Sequence, residues 1–148
     1  MSIKDMLNND MKAALKAGEK EKLSVIRMAK SAILYAEKEK LHELDDEEVI
    51  EVLFKEVKKR KNDINEYERL GKAEVVESLE REIAILSSYL PRQLTDEEVE
   101  EIVRQTIIEV GANSIKDMGK VMGTAMPKVK GRADGSLVSE TVKKFLQQ

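Results

Sequence analysis

Lys120, Lys128, Lys130 and Arg132 fall within thirteen residues of one passage, GKVMGTAMPKVKGRADGSLV, Gly119 to Val138. The same passage holds four of the chain's seven glycines and one of its two prolines. Cations at that density beside backbone without side chains could seat an anionic strand: Lys and Arg neutralise phosphates, and glycine lets another backbone, a neighbouring helix or a sugar-phosphate chain, come close. Gly119, Gly123 and Pro127 recur every four residues, so on a helix they form one stripe bordering the apolar face. A helix bears this only at a cost, about 1 kcal/mol for each glycine and about 3 for an interior proline. Either another helix packs tightly against the stripe or a ligand lies on it; the residues alone leave both open.

The turn KVKGRADG reads as the joint between two helices, with Gly131 capping the first and Asp134 opening the second. Lys128 and Lys130 there also complement a helix C-terminus, whereas Arg132 lies past the end and is not explained by the dipole. Lys143 and Lys144 are further candidates for contact with such an anionic strand. No catalytic residue is expected. The sequence has no phosphate-binding Walker loop, no dinucleotide fingerprint, no nucleophile elbow and no zinc spacing, and it has no cysteine. Its one histidine, His42, sits among Glu39, Lys40 and Glu43 at an apparent helix end and reads as a solvated surface group. No cofactor and no metal are expected.

The elements that must position these side chains are all helical. Apolar residues recur at three and four throughout, and nothing alternates with period two. Seven helices are expected: Ser2 to Ala17 ended by Gly18, Lys20 to about Glu43, a third opening at Asp45 with Glu48 as a capping box and ending at Gly71, and a fourth from about Ala73 to Ser88. The second is apolar almost all round, broken only by Ser24, Arg27 and Ser31, which makes it central to its bundle. KKRK, Lys58 to Lys61, reads as a solvated face laced with pairs such as Glu51–Lys55, Glu56–Arg60 and Lys59–Asp63. YLPRQLTDEEV marks a boundary, with Pro91 bending the chain away from helix and Thr95 with Glu98 opening the fifth helix, which Gly111 ends. Ser114 with Asp117 caps the sixth. The expected fold is an N-terminal four-helix bundle or hairpin array over 1–90 and a small three-helix domain over 95–148.

Composition fits that fold, with 41% hydrophobic and 37% charged residues, five aromatics and no Trp. No run approaches a membrane span and no signal peptide is visible, so a cytoplasmic location is expected. Net charge is −3, but it is distributed unevenly. Residues 95–115 hold one base and six acids, and residues 116–144 hold seven bases and three acids. A basic face can attract polyanions even on an acidic chain.

Taken together, KLSVIRMAKSAI (22–33), KKRKNDINEY (58–67), YLPRQLTDEE (89–98) and DMGKVMGTAMPKVKGRADGSLV (117–138) resemble the GatB/YqeY family over nearly the whole chain. The resemblance implies an all-helical protein of two parts. The smaller part is similar to the tail of the B subunit of the glutamine-dependent aminoacyl-tRNA amidotransferase, a carbon–nitrogen ligase with glutamine as amido-N-donor. In that enzyme the tail touches tRNA while the chemistry lies elsewhere. What carries over is RNA contact, not catalysis, and the implied partners are tRNA and an amidotransferase or another cytosolic protein. Gly119, Lys120, Lys128, Lys130, Gly131, Arg132 and Ala133 fall on the family's matching stretch. Arg132 stands where the motif usually has Lys, and Asp134-Gly135 replaces the common Asn-Pro, which puts a carboxylate near the phosphate path. The alternative function is a protein-interaction module that docks without binding RNA.

Overall fold

The computed structural model describes residues 1–147, and among them every regular element is helical. They are α1 (Ile3–Ala17), α2 (Lys20–Lys40), α3 (Asp46–Arg69), α4 (Ala73–Ser87), α5 (Asp96–Val110), a 3-10 turn (Ile115–Asp117), α6 (Met118–Val129) and α7 (Gly135–Leu146). The chain divides into two compact units, one from Met1 to Leu90 and one from Pro91 onward.

In the first unit, α1 and α3 start at reciprocal caps. The Ser2 hydroxyl accepts from the Asp5 amide at 3.1 Å while the Asp5 carboxylate accepts from the Ser2 amide. Asp45 and Glu48 do the same for α3. Such caps satisfy amides that have no partner within the helix. Asp46 also accepts from the Ile3 amide at 3.0 Å, which ties the start of α3 to the start of α1. α2 touches α1, α3 and α4, as its broad apolar surface predicts, and its Val25, Ile26, Ala29 and Ile33 join Leu7, Val49, Leu53 and Leu86 in one core. Each fully buried Leu, Ile or Val contributes about 1.5–3 kcal/mol.

The first unit departs from the sequence reading in two ways. α2 stops at Lys40 instead of about Glu43 because Leu41 turns left-handed, with φ 61°. The KKRK segment is not wholly a solvated face either. Arg60 is 5% exposed. Its Nε donates to Glu82 Oε1 at 3.0 Å, and its Nη1 donates to the Glu56 carboxylate and carbonyl. Val49, Leu53, Val57 and Arg60 are spaced by four, four and three, so the stripe that buries the valines also turns Arg60 inward. Only Lys59 and Lys61 of this tetrad are exposed.

α5, α6 and α7 pack pairwise in the second unit around Val99, Val103, Val121, Ala125, Val129, Val138 and Val142. Thr95 and Glu98 cap α5 reciprocally, as expected. Ser114 does not cap α6: its side chain makes no such bond, and a 3-10 turn intervenes in which the Asp117 carboxylate accepts from the Asn113 amide at 3.0 Å. No helix among the described residues is long and apolar enough to cross a membrane.

Candidate functional site in the C-terminal unit

α6 carries the glycine stripe. Val121, Ala125 and Val129 are buried, so Gly119, Gly123 and Pro127 turn outward with Lys120. A Cβ built on Gly119 or Gly123 would meet nothing within 4 Å. The stripe is therefore open within the C-terminal unit, so of the two readings that the residues leave open, no helix of that unit packs against it. Pro127 lies in the last turn of α6, where it has no amide hydrogen to give the Gly123 carbonyl. On the opposite face, two valines buried at about 1.5–3 kcal/mol each offset a comparable cost.

The turn after α6 has a definite structural task. Gly131 is buried with φ 74°, a left-handed conformation that a side chain disfavours. Its carbonyl accepts from Gln93 Nε2 at 2.9 Å. The Arg132 carbonyl accepts from the Leu94 amide at 2.8 Å, and Arg132 Nε donates to the Arg92 carbonyl at 3.0 Å. Arg92 in turn forks onto Glu98 through 2.9 and 2.7 Å bonds. Thus PRQL and GRAD, two motifs some forty residues apart, form one clamp that holds the entry to α5 against the turn between α6 and α7. Sequence reading missed this clamp. The available signal was Arg132, the one cation of the KVKGRADG turn that the helix dipole does not explain.

The clamp also sets the local electrostatics. Glu98 is pushed down to about 2 by the Arg92 guanidinium first and then by the Thr95 amide. Asp134 caps α7 by accepting from the Ser136 amide at 2.9 Å, as its place in the turn predicts.

The six expected RNA-contact cations occupy different surroundings. Lys128 reaches across to α5, donating to Glu109 Oε2 at 2.6 Å and to the buried Thr106 hydroxyl at 3.0 Å. Arg132 is half-buried in the clamp, and Lys130 is engaged within the fold as well. Lys144 shares a cleft with Asp96, Glu100 and Glu140. Lys120 on α6 and Lys143 on α7 are exposed and make no ion pair among the described residues. Of the six, the structure therefore leaves Lys120, beside the bare stripe of Gly119 and Gly123, and Lys143 on α7 exposed and without an ion pair among the described residues. No group of acids, His or Cys among the described residues has the makings of a metal site.

Parts of the chain are similar to known proteins. A stretch of 59 residues, 37% of the chain, is 46% identical to the E subunit of the glutamyl-tRNA(Gln) amidotransferase of Thermococcus gammatolerans, covering 9% of that protein. The E subunit of the Aeropyrum pernix enzyme is 44% identical over 61 residues, 38% of this chain and 10% of that one. The chain thus spans about a tenth of the length of these relatives. Over 146 residues, 96% of the chain, it is 28% identical to altered inheritance of mitochondria protein 41 of Pyrenophora tritici-repentis, covering 77% of that protein. The sequence profile of the Yqey-like proteins matches residues 4–146, from the first turn of α1 to the end of α7, and the chain belongs to that family.

Proposed function

We propose that this protein is a non-catalytic accessory module whose C-terminal unit lies against the backbone of a tRNA. Lys120 and Lys143 are the primary phosphate contacts, and Gly119 and Gly123 form the surface on which the strand rests. One observation carries this reading: the outward stripe of α6 is open, with nothing but the helix's own neighbouring backbone within 4 Å of either glycine's missing side chain. Its place in a chain related to proteins named for glutamyl-tRNA(Gln) supports the choice of polyanion. Lys128 and Arg132 serve first to build the surface, through α5 and the clamp, and only secondarily to add positive potential. Contacts of this sort give affinity with little sequence selectivity and a strong dependence on salt. The two units act as separate domains, a four-helix one and a three-helix one. Titration of the full chain with tRNA at low and at physiological salt tests the proposal: it requires binding that weakens steeply with salt, and absent or salt-independent binding overturns it.

A second reading has its own observation. Ile108 is 75% exposed, and Phe145 beside it lies under the Arg104 guanidinium, 5.4 Å from the ring centroid. This apolar spot suits docking onto an amidotransferase or another cytosolic protein without RNA. Cross-linking in extract before and after RNase distinguishes the two, since a directly docked protein survives the nuclease.

A further inference from the structure

A groove of about 380 Å³ runs between α1 and α2 in the N-terminal unit, far in sequence from the glycine-rich passage. Its floor is apolar, made by Leu7 and Ile33, which are almost wholly buried. Its rim carries Lys4, Asn8, Lys30, Ser31, Leu34 and Glu37. Leu34 is 52% exposed although it belongs to a helix whose other leucine, Leu23, is buried. Leu15 is 61% exposed on α1, where Asn8, Met11 and Leu15 follow one another at spacings of three and four.

The charges along the rim are one-sided. Glu37 is the groove's only acid among the described lining residues, and it is already spent. It accepts a hydrogen bond from Lys4 and another from the Leu44 amide at 2.8 Å, and the Lys4 bond foremost holds its carboxyl below the usual range. Lys30 has a methionine sulfur for its neighbour, Met11 Sδ at 3.7 Å, and no carboxylate among the described residues. Arg27, Ser31, Leu34 and Lys38 lie at spacings of four, three and four, so Arg27 and Lys38 extend the cationic border along the same stripe of α2.

We propose that the α1–α2 groove docks an amphipathic helix of a partner protein, with the helix's apolar stripe on Leu7, Ile33 and Leu34 and its acidic border facing Arg27, Lys30 and Lys38. The argument is charge complementarity around an apolar floor. A neutral apolar ligand would leave Lys30 and Arg27 uncompensated beside it, and a basic helix would be repelled. The spacing of the exposed leucine and the cations on α2 matches the three- and four-residue repeat that such a helix presents. This surface is separate from the proposed RNA surface, so either can fail without the other.

The test uses the full chain, labelled for NMR, and two synthetic helical peptides with the same leucine stripe, one bordered by Glu and the other by Lys. The acidic peptide is expected to shift the resonances of Leu7, Lys30, Ser31 and Leu34 and to bind at least about tenfold more tightly than the basic one. The pair Arg27→Glu with Lys30→Glu is expected to remove most of that preference, and Leu34→Ser to weaken binding of the acidic peptide; both alter surface side chains, and far-ultraviolet circular dichroism checks that the helices persist. Equal affinity for the two peptides, shifts confined to other surfaces, or no binding of the acidic peptide overturns the proposal. So does preferential occupation of this groove by phosphatidylglycerol vesicles or by tRNA, and so does dimerisation of the protein through it.

Discussion

Arg132 is where two demands on the basic passage meet, since it carries positive charge and also holds the Arg92 carbonyl through Nε. A lysine keeps the charge but has no Nε–H fixed in a planar fork. Arg132→Lys is therefore expected to lower the stability of the C-terminal unit by about 1 kcal/mol, the worth of one hydrogen bond, while changing tRNA affinity little. Thermal melting and a tRNA titration of the same variant read the two effects separately. Glu98 offers a test by pH. Its folded carboxyl titrates near 2, below the ordinary 4.5. Its ionised form therefore adds stability that is fully present above about 4.5 and is lost as the pH falls through about 2. Glu98→Gln is expected to melt lower than the parent at neutral pH, with the gap closing across that acid window; a gap that persists unchanged to pH 2 contradicts the Arg92–Glu98 account.

At the scale of elements, α3 and α6 show opposite uses of a stripe. On α3 the apolar stripe ends in Arg60, whose guanidinium bridges Glu56 of its own helix and Glu82 of α4. Arg60→Ala removes the cation that Glu56 and Glu82 share, leaving Glu56, among the described residues, only the exposed Lys59 at 3.8 Å, and a loss of about 3 kcal/mol is expected, the low end for breaking a buried pair because both acids keep some contact with water. Denaturant unfolding measures it. On α6 the outward glycines touch nothing, so Gly123→Ala is expected to raise stability by up to about 1 kcal/mol through helix propensity alone. Gly123→Leu is expected to leave melting no lower and to weaken tRNA binding. A fall in melting temperature for either variant means that the stripe is packed and not open.

For the whole molecule, the all-helical character was legible in the sequence, because three- and four-residue periodicity reports a buried helix face directly. The caps at Asp45, Thr95 and Asp134 were legible because their chemistry is local, whereas Ser2, read as the first residue of its helix, is its cap. The end of α2 was not, since a leucine at φ 61° carries no composition signal. Arg60 was misread because charge was weighed ahead of its place on the stripe. The clamp between PRQL and GRAD was invisible for a different reason. It is made largely by the backbone carbonyls of Arg92, Gly131 and Arg132, groups that every residue has, and it joins segments brought together only by folding. Of the candidate site, the outward glycines were legible as a stripe, but their openness and the pairing of Lys128 with Glu109 required the fold.

In the proposed complex the open face of α6, with Lys120 and Lys143, receives a nucleic acid backbone. An amide chemical-shift map of the labelled full chain titrated with tRNA tests it most directly. The expected result is perturbation centred on Gly119, Lys120, Gly123 and Lys143 that fades as salt is raised. Perturbation centred instead on Ile108 and Phe145, or on α1 and α2, or none at all, contradicts it.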